Sequence, residues 1–204
     1  MRTGLILLPI LLPILSGGGL LLFPRRVSER TRNRYVQCSA CLTSLLVLLA
    51  LRMARGEPVT VYSFIQGFSV SFRVDGMASL FAGMLAVMWP FAQLYAFSYL
   101  EGTRDGKTFF SFYLMTYGVA LAVAFAANLV TMYVAFEMLT LVTLPLVTHY
   151  HNKESLFAGR RYMLYCVGGA ALGLMIYGMF VAIFVPAAKK ALVVYFSAAD
   201  NDGI

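Results

Sequence analysis

Long apolar runs separated by short polar stretches dominate the hydropathy pattern of this chain. A helix needs about 20 mostly apolar residues to cross a bilayer core of roughly 30 Å. The stretch from Thr108 to Thr148 contains one charged residue, Glu137. As one helix it would be about 60 Å long, so we expect it to turn back at 126–128. The predicted spans are 3–23, 35–51, 75–100, 109–127, 129–150 and 162–185, the last ending near Pro186.

A different pattern occupies the loop between the second and third spans. Residues 59–64 and 68–72 are β-branched and aromatic runs of alternating polarity, and Ile65, Gln66 and Gly67 separate them. Alternation with a period of two and a short glycine-containing connection are typical of a β-hairpin. We therefore predict a short external hairpin, with an irregular surface loop as the alternative.

Composition supports a membrane protein. The 204 residues are 60% hydrophobic and 12% charged, about half the charged fraction of a soluble domain. So few charges cannot cover a water-exposed surface. We predict an all-α integral membrane fold and a single polytopic domain over residues 1–204.

Basic residues set the predicted orientation, since cytoplasmic loops are enriched in Lys and Arg. A secretory signal at residues 3–23 would need basic residues before the apolar run, but most of them follow it. We therefore expect a retained first span, an external N-terminus and a plasma-membrane location. The predicted cytoplasmic loops hold Arg25, Arg26, Arg30, Arg32, Arg34, Arg104, Lys107, Lys153, Arg160 and Arg161, and the external segments hold Arg2, Arg52, Arg55, Arg73, Lys189 and Lys190. The net charge of +7 thus reflects topology, and no nucleic-acid partner is expected.

Glu137 is the candidate for chemistry, because it lies near the middle of the fifth predicted span. An ionised carboxylate at that depth is costly, and intramembrane acids commonly mark ion or proton paths. Helical spacing places Tyr133 and Thr140 on roughly the same side, where they could position water. Pro145 cannot donate to the carbonyl of Leu141 and so leaves an acceptor there. The alternative is a neutral glutamic acid hydrogen-bonded to a neighbouring helix.

Other polar residues have weaker claims to transport. Asp75 can cap the third span, a structural role. His149 and His151 titrate near neutral pH and could load protons, or they form an interfacial pair without a transport role. Arg160 and Arg161 can extend to lipid headgroups, or one of them can act on Glu137 through a water chain.

Sequence motifs for cofactors and catalysis are missing. Cys38 and Cys41 form a Cys-x-x-Cys without a second ligand pair, and Cys166 stands alone in an apolar segment. No nucleotide loop, metal-ligand cluster or nucleophile arrangement is found. We therefore predict no cofactor, no metal site and no catalytic residue.

Five short motifs stand out along the chain: VDGMASLF at 74–81, YVAFEMLTL at 133–141, LPLV at 144–147, KES at 153–155 and AGRRY at 158–162. Together they resemble the proton-conducting antiporter-like family, which includes membrane subunits of respiratory complex I, Mrp-type sodium/proton antiporters and membrane-bound hydrogenases. The resemblance implies that Glu137 is the fifth-span glutamate of proton transfer. It also implies an external N-terminus and partner subunits in a membrane complex.

This chain departs from the family pattern in length. Family members usually have about fourteen spans with inverted repeats, whereas this sequence ends at Ile204. The family pattern implies intramembrane lysines that partner Glu137 and that this sequence lacks. Three interpretations stay open: one piece of a split subunit whose missing spans are carried by a separate chain, a truncated reading frame, or a shortened homologue with another function. The leading hypothesis is a subunit, or its N-terminal portion, of a proton- or sodium-translocating complex. The alternatives are a non-transporting membrane scaffold or assembly subunit, or else a quinone-binding redox subunit.

Overall fold

Six helices and one β-hairpin make up the described part of the chain. The computed structural model describes residues 2–22, 28–54, 56, 58–65, 68–100, 106–148 and 153–201. All six helices are long and apolar enough to cross a membrane, which confirms the predicted all-α membrane fold. The elements are α1 (Arg2–Leu22), α2 (Glu29–Met53), β1 (Val59–Ile65), β2 (Phe68–Phe72), α3 (Gly76–Tyr99), α4 (Gly106–Ala124), α5 (Leu129–Val147) and α6 (Lys153–Asn201).

Two helices are longer than the apolar runs indicated. Helix α2 begins at Glu29 rather than at Tyr35, so Arg30, Arg32 and Arg34 are helical instead of forming a loop. Glutamate and arginine have high helix propensity, and their long side chains can reach the headgroup region from a helix that extends beyond the apolar core.

Helix α6 begins at Lys153 rather than at Tyr162 and runs for 49 residues to Asn201, past the expected end near Pro186. A proline inside a helix removes one backbone hydrogen bond. Breaking the helix in lipid would leave more backbone groups without partners. Helices α1, α3 and α5 also contain internal prolines and continue past them.

Helices α1 to α4 form the packed part of the molecule, which we call the closed bundle. Helix α1 lies close against α4: a Cβ on Gly118 would meet the carbonyl oxygen of Ile10, and one on Gly17 would meet that of Ser111. Small residues permit such close helix approach in lipid. Side chains with almost no exposure fill the interior, including Ile6, Leu20, Val36, Val47, Phe110, Leu114, Tyr117 and Leu121.

The predicted β-hairpin is present between α2 and α3. Strands β1 and β2 pair antiparallel, from Val59 with Phe72 to Ile65 with Phe68. Strand β2 also reaches the α4–α5 turn, where the amide of Ala127 donates to the carbonyl of Ser71 at 2.9 Å. That turn falls at the predicted place, since α4 ends at Ala124 and α5 begins at Leu129.

Helices α5 and α6 form an open arm beside the closed bundle. Helix α5 packs against α4 and α6, but only Thr131, Ala135 and Thr140 are buried along it. In the most apolar 18-residue stretch of α6 no residue is buried. The open arm therefore presents most of its surface outward.

Candidate functional site

Glu137 lies at the middle of α5, which runs from Leu129 to Val147. Its side chain is partly buried. The Oε1 atom is buried and has no hydrogen-bond partner among the residues that the structure describes. Leaving such an atom unpaired costs about 1–3 kcal/mol, and more when the group is charged. The carboxyl group therefore needs a proton, a water molecule or a partner from outside the described chain.

The two predicted supporting residues on α5 differ in their surroundings. Thr140 is buried, and its hydroxyl donates to the carbonyl of Phe136 at 3.1 Å. That proton is committed to the backbone, which leaves the hydroxyl oxygen as an acceptor. Tyr133 is partly buried and lines a cleft between α5 and α6. Tyr133 is thus the better placed of the two to contact water.

Helices α5 and α6 touch at the C-terminal end of α5. The hydroxyls of Thr143 and Tyr162 are hydrogen-bonded at 3.0 Å. Gly159 of α6 lies against the side chain of Thr148. Pro145 falls between these two contacts in the sequence and is itself partly buried. This end of the arm is closed.

Toward the N-terminal end of α5 the two helices separate around a cleft of about 680 Å³. Glu137 is not one of the lining residues, but Phe136 and Tyr133 are, one and four positions before it. Glu137 therefore comes directly after a residue that lines the cleft, without lining it itself. The lining is largely apolar and consists of Val123, Leu129, Met132, Tyr133, Phe136, Tyr165, Cys166, Gly169, Ala170, Gly173, Leu174 and Tyr177.

Basic side chains do not pair with Glu137 in the part of the chain that the structure describes. Arg160 and Arg161 are exposed, and the guanidinium of Arg161 lies 4.4 Å from the centre of the Phe157 ring. The two predicted proton-loading residues, His149 and His151, lie outside the described residues.

Asp75 caps α3, away from the open arm. Its Oδ1 accepts the amide proton of Ala78 at 2.8 Å, and its Oδ2 accepts from Nη2 of Arg73 at 3.0 Å. The amide of Ala78, followed by Arg73, holds the pKa of this carboxyl below its usual value. The arrangement is that of an N-cap that also favours the positive helix end.

Sequence reasoning missed a set of polar contacts inside the closed bundle. The side chain of Gln93 donates to that of Gln37 at 3.2 Å, and the hydroxyls of Ser44 and Tyr117 lie 2.9 Å apart. The available signal was an amide, Gln93, within an apolar run. Its partner could not be inferred, because apolar runs do not define the rotation of one helix against another.

Relatives of this chain belong to cation/proton antiporters. It is 28% identical over 122 residues to a probable K⁺/H⁺ antiporter protein of Rhizobium meliloti, covering 58% of this chain and 12% of that protein. It is 30% identical over 109 residues to a Na⁺/H⁺ antiporter protein of Alkalihalophilus pseudofirmus, covering 52% and 14% respectively. Both relatives are subunits of their antiporters, and the chain spans about one-eighth of their length. No protein-family model matches it.

A solved structure shares the fold. A chain of the membrane-bound sulfane sulfur reductase, an archaeal respiratory membrane complex, superimposes with a TM-score of 0.67 at 22% identity, over 89% of this chain and 28% of that one. Sequence similarity over about half of the chain and a shared fold over most of it therefore support an antiporter-like membrane subunit.

Proposed function

We propose that this chain is a membrane subunit, or the N-terminal portion of one, in a proton- or sodium-translocating complex of the NADH:quinone oxidoreductase or Mrp antiporter type. Glu137 carries a proton in its ion path. The observation that carries the proposal is the buried, unpartnered Oε1 of Glu137 in the middle of an apolar helix. The antiporter relatives point to the same class of protein.

The chemistry follows from the cost of charge in lipid. An ionised carboxylate at the centre of a membrane helix costs about 2.5–3.5 kcal/mol on insertion scales, and a neutral one costs less. A carboxyl group at that depth therefore favours its neutral form where its surroundings are dry. Water or a cation beside Oε1 favours the ionised form, so an alternation between these states loads and releases a proton.

We propose that water reaches the carboxyl group from one side of the open arm. The cleft between α5 and α6 ends close to Glu137, with the Tyr133 side chain in its wall. The Thr143–Tyr162 hydroxyl pair lies on the other side, where the helices touch. We propose that the Tyr133 side is the wet one and that Thr140 serves through its hydroxyl oxygen.

The path needs helices from elsewhere. The unburied faces of α6 and the open cleft are the surfaces on which further spans would pack. We propose that a separate chain, or further sequence of the same protein, supplies them together with a basic partner for Glu137. His149, His151 and Arg160 are proposed to supply protons or charge near the C-terminal end of α5.

The proposal includes the orientation of the chain in the membrane. Of the predicted cytoplasmic basic residues, Arg25, Arg26 and Arg104 lie outside the described residues, and Arg30, Arg32 and Arg34 lie in the first turns of α2. The positive charge remains concentrated at one end of this helix. We propose an external N-terminus in the plasma membrane, with the hairpin outside.

Glu137→Gln tests the proposal in the complete complex, reconstituted in vesicles with a pH-sensitive dye inside. The variant removes a titratable group and retains shape and hydrogen bonding. We expect coupled ion movement to be lost and the amount of assembled complex to be retained. Glu29→Gln is the matched control, because Glu29 is exposed at the start of α2, and it should transport normally.

Two alternatives give different results in the same experiment. A scaffold or assembly subunit predicts that Glu137→Gln leaves transport unchanged, or only lowers the amount of complex. A quinone-binding redox subunit predicts quinone in organic extracts of the purified complex that is lost with this chain. Normal transport by Glu137→Gln would overturn the proton-carrier role.

A further inference from the structure

The closed bundle contains a group of polar side chains that the proposed ion path does not use. We call it the polar seam: Gln37 and Ser44 of α2, Trp89 and Gln93 of α3, and Tyr117 of α4. Glu137 belongs to α5, so the seam is built by other helices.

Part of the polar seam is paired within the chain. Nε2 of Gln93 donates to Oε1 of Gln37 at 3.2 Å, and the hydroxyls of Ser44 and Tyr117 lie 2.9 Å apart. Gln93 and Tyr117 are both 0% exposed. These pairs hold α2 against α3 and against α4 in the interior of the bundle.

Two further atoms of the seam have no partner among the residues that the structure describes: Nε1 of Trp89 and Oε1 of Gln93. Both atoms are buried. The first is only a donor and the second is only an acceptor, so their hydrogen-bonding needs are complementary. The two residues are four apart on α3, which places their side chains on the same face with Cβ atoms roughly 6 Å apart.

Aromatic contacts fix the position of the indole ring. The Trp89 ring stacks on the Tyr117 ring, with centroids 5.0 Å apart and planes at 11°, and it also lies 5.1 Å from the Tyr113 ring. The hydroxyl of Tyr113 donates to the backbone carbonyl of Trp89 at 3.2 Å. The indole is thus held from two positions on α4 and cannot turn freely toward Gln93.

We propose that the polar seam binds a water molecule between Nε1 of Trp89 and Oε1 of Gln93. Buried polar groups in native proteins are almost always hydrogen-bonded, and a buried water needs two to four polar partners. The water accepts from the indole and donates to the amide oxygen.

Trp89 reports on its own surroundings, because it is the one tryptophan of the sequence. Indole emission moves to longer wavelength when water binds the N–H group, so the purified full chain in detergent can be measured directly. Gln93→Leu removes the acceptor and should release the water, with a shift of the emission to shorter wavelength. Thr116→Val is the matched control, since it removes another buried hydroxyl of the bundle and should leave the emission unchanged.

A density map at a resolution that shows ordered water provides the second measurement. We expect a peak within hydrogen-bond distance of both atoms in the wild type and no peak in Gln93→Leu. Gln93→Met, which keeps the side-chain length, replaces Gln93→Leu if circular dichroism shows that the leucine variant is misfolded. Unchanged emission in a folded Gln93 variant, or direct contact between the indole N–H and the amide oxygen in the map, would overturn the proposal.

Discussion

The closed bundle and the open arm differ in how far the chain satisfies its own packing. Half of the most apolar stretch of α4 is buried, whereas none of the corresponding stretch of α6 is. Gly118 in the bundle has no room for a Cβ atom, while Gly173 in the arm has no other side chain or helix within 4 Å of the place where its Cβ would be. The α1–α4 contact is therefore tightly packed, whereas α6 has most of its surface free of contacts with the rest of the described chain.

The closed bundle and the open arm also differ in where acidic side chains lie along their helices. Helices α1, α3 and α4 contain no acidic residue. Helix α2 contains one, Glu29, in its first turn. Glu137 lies in the arm. A carboxyl group that must gain and lose a proton benefits from a setting that other helices and water can alter. In the proposed function, the bundle therefore has the role of positioning the arm, and the arm that of carrying the ion.

The largest expected effect on stability comes from placing a larger side chain where α1 and α4 are in close contact. Gly118→Val places a side chain where the carbonyl of Ile10 already lies at 2.5 Å from the Cβ position. Because the two helices must separate, we expect a loss of about 3 kcal/mol of unfolding free energy, measured by denaturant titration in detergent micelles. Gly173→Val is the control and should change the isolated chain little. Equal destabilisation by the two variants would break the comparison.

The same glycine control sharpens the comparison when the complete complex is used. If partner helices cover α6, Gly173→Val should reduce the amount of this chain that co-purifies with its partners, although the isolated chain is unaffected. Unimpaired co-purification would show that this face of α6 remains in contact with lipid.

The next largest effect on stability is expected from truncating a buried leucine of the bundle, with an exposed leucine of the arm as its control. Leu114 of α4 is 0% exposed and Leu172 of α6 is 61% exposed. Leu114→Ala should cost about 2 kcal/mol, near the low end for core leucines, because lipid is as apolar as the protein interior. Leu172→Ala should cost much less, since lipid fills the space. Similar unfolding midpoints for the two variants would contradict the assignment of bundle and arm.

A smaller effect is expected at the contact between α5 and α6. Thr143→Val removes the hydroxyl that pairs with Tyr162 at 3.0 Å. Hydrogen bonds between membrane helices contribute about 0.6 kcal/mol on average, so overall stability should change little. Spin labels on α5 and α6 should report a wider distribution of distances. An unchanged distribution would mean that other contacts hold the arm closed at this end.

The smallest effect concerns the cap of α3 at the edge of the bundle. The pKa of Asp75 is lowered in the folded state by the amide of Ala78 and by Arg73. A group with a lowered folded pKa contributes stability above its unfolded pKa of about 4, and this stability is lost as pH falls through the folded value. Thermal unfolding between about pH 6 and pH 3 should therefore show a wild-type advantage over Asp75→Asn that is largest at the upper end and decreases as the pH falls below about 4. A constant difference across this range would exclude the charge as its cause.

Most of the fold could be predicted from the sequence. The number of helices, the hairpin and the turn before Asn128 followed from run lengths, alternation and a short polar interruption. Apolar run length misplaced the start of α2 and both ends of α6, because the arginines of α2, the polar residues before Tyr162 and Pro186 interrupt the hydropathy pattern without interrupting the helix.

Less of the candidate site could be predicted. Glu137 stood out as an acid in an apolar run, yet the cleft beside it depends on the angle between α5 and α6. The pairs Gln37–Gln93 and Ser44–Tyr117 depend on helix rotation. Both quantities arise from packing between segments distant in sequence, and composition along one segment does not determine them.

The connection between the hairpin and the α4–α5 turn has a consequence for depth in the membrane. The amide of Arg73 donates to the carbonyl of Phe125 at 2.8 Å, and the amide of Thr131 donates to the side chain of Asn128 at 2.7 Å. These bonds fix the residue at which α5 starts. Since each helical residue advances about 1.5 Å, inserting one residue before Leu129 would move the Glu137 carboxyl vertically by that distance and turn it about 100° around the helix axis. The contacts between the hairpin and the α4–α5 turn thus set the depth and the rotation of the Glu137 side chain in the membrane.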